Sequence, residues 1–167
     1  MVSIRPAEPE DAVAAIDVVR QSIIQLCVTD HHNDETTLAT WLANKTPQNF
    51  ATWLSNTENF CLVAEAFGRP VGVGVVNREG EVLLFYLAPG MQRKGIGRML
   101  HAELERQADR WELTSLHLES TALARRFYEA VGYRPSGTAV TRFGTLQCFP
   151  YAKQLRPDSS RESKRTE

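Results

Sequence analysis

The chain has 167 residues and a formal net charge of −1. That is enough for one domain with an adequate core, and too balanced for general attraction to nucleic acid or membrane surfaces. No apolar run approaches membrane-spanning length, and the start Met1-Val2-Ser3-Ile4-Arg5-Pro6 shows no basic-then-apolar leader. Cys27, Cys61 and Cys148 are isolated and form no CxxC pair. This argues against a disulfide framework or a zinc site, and points to a reducing, cytoplasmic setting with three small buried thiols.

Ser3 to Ala7 reads as a short strand. Glu8-Pro9-Glu10-Asp11 then opens a helix with the proline and acidic residues that helix starts favour, and Ala12, Ile16, Val19 and Ile23 carry its apolar stripe to about Cys27. Thr29 to Asn33 is polar and non-periodic, a predicted loop. A second helix is expected over Asp34 to Ala43. A third is expected to run to Leu54, with Thr46 as its cap and Pro47 in the first helical position. The pattern then changes to strands: Phe60 to Ala66, Val71 to Val76 and Glu81 to Leu87, joined by short turns as in an antiparallel meander. Both faces of Val82 to Leu87 are apolar, as in a central strand covered on two sides.

A long helix follows, with Ile96, Leu100, Leu104, Ala108 and Trp111 on one face. Ser115 to Glu119 is a short strand, and a helix from Leu123 to Val131 ends at Gly132, a natural left-handed cap. Two closing strands flank Phe143-Gly144, about Gly137 to Arg142 and Leu146 to Leu155; Pro150 inside the second implies a bulge or an unpaired position. The folded domain is thus 1–155, and 156–167, without apolar anchors, reads as a disordered tail. The element order defines an α+β fold with helices covering a mixed sheet.

The chemistry concentrates where Val82 to Leu87 runs into Gln92-Arg93-Lys94-Gly95-Ile96-Gly97-Arg98. Glycine costs about 1 kcal/mol in a helix relative to alanine, so two in a first turn call for a cause. Close approach of a ligand to bare backbone supplies one. The first amides of a helix lack internal partners, and its dipole favours an anion there; Arg93, Lys94 and Arg98 add positive charge. There is no GxxxxGK[ST] and no full GxGxxG, so neither a P-loop nor a dinucleotide fold is indicated.

Gln92-x-x-Gly95-x-Gly97 resembles the Q/R-x-x-G-x-G/A acyl-CoA motif of the GCN5-related N-acetyltransferase (GNAT) family. Ile4-Arg5-Pro6-Ala7 with Asp11, the box Phe127-Tyr128-Glu129-Ala130-Val131-Gly132-Tyr133 and the closing strands resemble the family's other hallmarks in order and spacing. The likeness spans about residues 2 to 155 and is nearest to small single-domain bacterial members. It implies a GNAT fold: a mixed, mostly antiparallel sheet of six to seven strands whose central strands splay apart. It also implies acetyl-CoA as cosubstrate, with no metal. The pantetheine would follow the strand backbone around Phe85, Leu87, Ala88 and Pro89, and the pyrophosphate would sit on the turn from Gln92 through Arg93, Lys94, Gly95, Ile96 and Gly97 to Arg98. A backbone amide near Phe85 to Leu87 would face the acetyl carbonyl.

Thr121, Ala124 and Tyr128 are spaced to share one helix face, with Leu123, Phe127 and Val131 on a neighbouring core face. The small Ala124 leaves room for a ligand, and the resemblance makes Tyr128 the general acid that protonates the departing thiolate. Many members carry asparagine where this chain has Thr121. Glu81 opens the central strand and by period two shares a face with Leu83, Phe85 and Leu87; histone-acetyltransferase-type members carry a catalytic glutamate there. His117 and Glu119, alternating on the next strand, are the other candidate proton acceptors. His31, His32, Trp41 and Trp53 lie where such proteins shape the acceptor pocket; adjacent histidines on a loop rarely converge on one metal ion.

The expected activity is direct acetyl transfer to a primary amine, small molecule or peptide, in a ternary complex. A non-catalytic acyl-CoA sensor and an enzyme acting on tRNA or a protein N-terminus are the competing readings. The charge balance gives no support for nucleic-acid binding. The acceptor is open, as is the oligomeric state, although the family often pairs through its C-terminal hairpin.

Overall fold

The computed structural model describes residues 1–156; apart from Arg156, the expected tail lies outside them. Among the described residues eight strands form two groups. β1 (Ser3–Pro6), β2 (Asn59–Ala66), β3 (Arg69–Asn77) and β4 (Val82–Leu87) make an antiparallel sheet in that order. β5 (Ser115–Ser120) pairs antiparallel with β8 (Leu146–Gln154), whose other edge takes β7 (Val140–Arg142) and then β6 (Arg134–Pro135). Among the described residues a single parallel bridge joins the two groups, Glu81 to His117, with the His117 N–H donating to the Gly80 carbonyl at 2.8 Å. Beyond it β4 and β5 diverge.

Helices cover both faces of the first sheet. On one side lie α1 (Ala12–Leu26), a single turn α2 (Val28–His31), α3 (Glu35–Leu42) and α4 (Pro47–Ser55). Ile16, Val19, Ile23 and Phe50 from these helices pack on Val63, Val73 and Val75. On the other side α5 (Ile96–Arg110) lays Leu100, Leu104 and Ala108 against Leu62, Leu116, Tyr133 and Tyr151. The Val-Gly alternation of β3 explains how α5 gets so near. A Cβ at Gly74 would already stand 3.4 Å from Leu100 and Leu104. Arg5 ties the start together: its guanidinium makes two bonds to Asp11 (2.7 and 2.9 Å) and one to Glu65 (2.7 Å). Helix caps follow the expected chemistry, Asp34 accepting the Thr37 N–H at 2.8 Å and Thr46 the Asn49 N–H at 3.1 Å.

Four local expectations change. The predicted loop Thr29–Asn33 contains part of α2, because Asp30 and His31 are drawn into the interior. The last helix, α6, is only Arg125–Ala130, so Thr121 precedes it and Leu123 is 50% exposed rather than core. The closing region has an extra two-residue strand, β6, and a shorter β7. Pro150 makes no bulge: its register with Glu119 is continuous, and its carbonyl accepts the Ser136 N–H at 3.0 Å where β8 changes neighbours from β7 to β6.

β4 carries a further irregularity. Val75 pairs with Leu84 but Val76 with Val82, leaving Leu83 as an extra, 41% exposed residue. Such a bulge reverses the in-and-out alternation along the strand. Val82 accordingly faces the α5 side, while Leu84 and Tyr86 face α1.

Candidate active site

The gap between β4 and β5 is the first component. Backbone N–H and C=O groups of one residue point to the same side of an antiparallel strand and alternate along it. The Ala88 N–H bonds to the Val71 carbonyl at 2.8 Å. Phe85 and Leu87 therefore direct their N–H and C=O groups away from β3, into the gap, and Pro89 offers only a carbonyl. Ala88 itself is fully engaged, its carbonyl accepting from Met91 N–H and Gln92 Nε2, each at 3.0 Å. It is withdrawn from the expected backbone contacts.

At the end of this edge stands the glycine turn. Gln92 braces it from within, its Oε1 accepting the Gly90 N–H at 3.1 Å. Arg93 (φ 60°) and Gly95 (φ 80°) are both left-handed. The first helical bond of α5 runs from Met99 N–H to Gly95 C=O at 3.1 Å. The amides of Ile96, Gly97 and Arg98 thus have no partner within the helix, and the dipole adds its positive end. Arg93, Lys94 and Arg98 are exposed around them. The two glycines have different surroundings. A Cβ at Gly95 would meet open space, so this position is about conformation and ligand access. A Cβ at Gly97 would stand 3.0 Å from Cε2 of Phe127; that glycine also allows close packing against α6, a cause that adds to the one expected for both.

Tyr128 closes the gap on the α6 side. Its ring lies 6.1 Å from Phe85 and 5.4 Å from Phe127 and Tyr133, centroid to centroid. The residue is buried, and among the described residues its hydroxyl has no hydrogen-bond partner. Burial holds the phenol above its ordinary range, so it is protonated at neutral pH. The start of α6 is fixed by Thr121, whose hydroxyl accepts the Ala124 N–H at 3.2 Å. It is fixed also by Asp30, whose carboxylate accepts the Ala122 N–H at 2.6 Å and the Leu123 N–H at 3.4 Å.

On the α1 side of β4 lies a cavity of about 340 Å³ lined by Trp41, Lys45, Glu81, Val82, Leu83, Leu84, Tyr86, Glu119, Thr121, Arg142, Phe143, Leu146 and Cys148. The bulge at Leu83 puts Glu81 here, with Leu84 and Tyr86, instead of on the expected face with Phe85 and Leu87. Glu119 is held by Arg142 through two bonds of 3.0 and 2.6 Å, and this partner keeps its carboxyl below the usual range. It is a poor proton acceptor for that reason. His117 is exposed at the bridge and does not line the cavity.

The remaining predicted residues separate. Trp41 lines the cavity and stacks on Phe143 (6.1 Å, 12°), while Trp53 packs edge-on against Phe50. His31 is buried. Its Nδ1 accepts the Asn33 N–H at 3.0 Å, so Nε2 carries the proton and donates to the Ile23 carbonyl at 2.9 Å. It is a neutral core residue, not a substrate contact. His32 is exposed in a left-handed conformation. Among the described residues no three His, Cys, Asp or Glu converge on a point. Asp30, Lys45 and Arg142 went unrecognised in the sequence. Asp30 and Arg142 act through partners far along the chain, and Lys45 reads as an ordinary charge between two helices.

The gap thus offers what a linear ligand with amide groups and a diphosphate requires: a free strand edge leading to unpaired amides with nearby cations. A family model described as an acetyltransferase (GNAT) domain matches residues 24–155. A GCN5-related N-acetyltransferase from Rhodopseudomonas palustris is 26% identical, with a TM-score of 0.81 over 92% of this chain and 95% of that one. The PaiA N-acetyltransferase of Thermoplasma acidophilum, solved in complex with coenzyme A, is 21% identical with a TM-score of 0.78 over 93% and 99% of the two chains. The yncA protein of Salmonella typhimurium, solved with its cofactor acetyl-CoA, is 20% identical with a TM-score of 0.71 over 95% and 99%. No curated protein matches the chain. The chain belongs to the GNAT acetyltransferase family. It is an acyl-CoA-dependent N-acetyltransferase. Among the described residues no helix is long and apolar enough to cross a membrane.

Proposed function

We propose that this enzyme transfers the acetyl group of acetyl-CoA directly to a primary amine held in the cavity between β4, β5 and β7. The observation that carries this reading is the opening of β4 from β5 just past the Glu81–His117 bridge, with the backbone of Phe85 and Leu87 free and the Tyr128 ring beside Phe85. In this reading the diphosphate rests on the amides leading to Arg98. Each charge-assisted bond there contributes about 1.5–3 kcal/mol. The pantetheine follows the free edge of β4, and an amide on that edge bonds the acetyl oxygen as it gains charge.

The acceptor nitrogen bonds to the acetyl carbon and the carbon–sulfur bond breaks. Tyr128 gives its hydroxyl proton to the leaving sulfur. Glu81, on the acceptor side and without an ionic partner among the described residues, takes the proton lost by the amine, directly or through water. Cys148 also lies on the cavity wall, but burial pushes its thiol up to about 11, chiefly by desolvation. It stays protonated and is a poor acyl carrier, which favours transfer in one step. The test is two-substrate kinetics with release of CoA thiol across a panel of amines. Intersecting double-reciprocal lines are expected; parallel lines would replace direct transfer with an acyl-enzyme route.

A further inference from the structure

Four charged side chains line the acceptor cavity, and they do not balance locally. Glu119 and Arg142 neutralise each other through their paired hydrogen bonds. That leaves Glu81 and Lys45, of opposite sign, both lining the cavity. Neither has an ionic partner within 4 Å among the described residues. Lys45 is the unusual one, a lysine only 6% exposed. Its ammonium donates to Asn44 Oδ1 at 2.7 Å, makes a long 3.5 Å contact to the Trp41 carbonyl, and sits 5.6 Å from the centre of the Phe143 ring. Burying a cation without a counter-charge is unfavourable, and desolvation here lowers the ammonium's pKa to about 8. Two neutral acceptors and an aromatic face leave its charge open to a ligand.

Resting on the reading of this cavity as the acceptor site, we propose that the acceptor is a small amino acid, its carboxylate paired with Lys45 and its amine presented near Glu81. A diamine would set a second cation against Lys45. An uncharged amine would leave the buried ammonium uncompensated. The volume of about 340 Å³ and the walls of Trp41, Tyr86 and Leu146 suit a small molecule with some apolar side chain.

The experiment compares free amino acids with their carboxamides and their decarboxylated amines, read by CoA release and, independently of turnover, by calorimetric binding. In the wild-type enzyme kcat/KM should favour the amino acid by roughly 10- to 100-fold, the equivalent of one charge-assisted hydrogen bond. Lys45→Met should erase that preference mainly through KM, with acetyl-CoA affinity unchanged, and Lys45→Arg should restore part of it. Equal or better use of the carboxamide or amine by the wild type overturns the assignment without needing a variant, as does a preference that survives Lys45→Met. If no compound is acetylated yet amino acids bind in a Lys45-dependent way, the transfer reading fails and the carboxylate site stands. If amino acids neither react nor bind, the inference is wrong.

Discussion

Gly95→Asp separates charge from shape at the anion site. Gly95 has φ 80° and nothing within 4 Å of the position its Cβ would occupy, so the side chain enters open space and the fold should survive. Aspartate tolerates the left-handed region at a cost of about 1 kcal/mol, which for a domain of this size lowers Tm by about 2–4 °C. The effect on ligand is larger. A carboxylate about 5 Å from a bound phosphate charge, at an effective dielectric of about 20, opposes it by about 3 kcal/mol, or roughly 10²-fold in affinity. Gly95→Asn has nearly the same shape and strain without the charge, and should lose no more than about 10-fold. Titration calorimetry with CoA reads both, and thermal unfolding without ligand reports the strain alone. If both variants bind CoA as the wild type does, the diphosphate is not held at this turn. If Asp and Asn weaken binding equally, charge is not the reason.

Tyr128→Phe should cut kcat by roughly 10²–10⁴-fold with CoA affinity nearly intact; undiminished turnover removes the hydroxyl from the mechanism. Glu81→Gln should flatten the acidic limb of the pH profile of kcat/KM, and an unaltered profile transfers proton removal to His117 or solvent. Gly97→Ala sets a gain of up to about 1 kcal/mol in helix propensity against about 1–3 kcal/mol of overpacking on Phe127. The net is a loss of up to about 3 kcal/mol, a fall in Tm of up to about 12 °C, relieved by Phe127→Leu; a rise would refute the packing role. Hydrogen bonding to Arg5 holds the Asp11 carboxyl below its ordinary range, so its stabilisation is complete above about pH 4 and fades as pH falls through the lowered folded value. Arg5→Met should therefore lower Tm at pH 7, with the gap to wild type closing as the pH is taken progressively below about 4; a gap that stays constant as the pH falls contradicts the linkage.

Those elements that declare themselves locally were legible. The 3.6-residue stripe of Ile96, Leu100, Leu104 and Ala108 predicted α5 and its buried face, and Thr46-Pro47 predicted the cap of α4. Gly95 stood out because glycine is costly at the start of a helix, and its left-handed φ of 80° is a second reason that the structure adds. What escaped depends on partners distant in the chain. The added reason for Gly97 is a ring thirty residues later, and the face of Glu81 depends on how Val75 and Val76 register against β4. A charge such as Lys45 is the least readable of all, since only the packing of Trp41 and Phe143 about it distinguishes a buried ammonium from a solvated one.

The surplus residue in β4 has an economy of its own. A strand of unbroken pleat would hand both reactants the same row of side chains. With Leu83 squeezed out of step, the carboxylate upstream addresses one compartment and the free peptide edge downstream serves the other, so a nucleophile and a thioester can meet across a single strand without competing for it. Deleting that one residue would turn the carboxylate toward the opposite helix layer while leaving the strand edge and the glycine turn downstream of it in place.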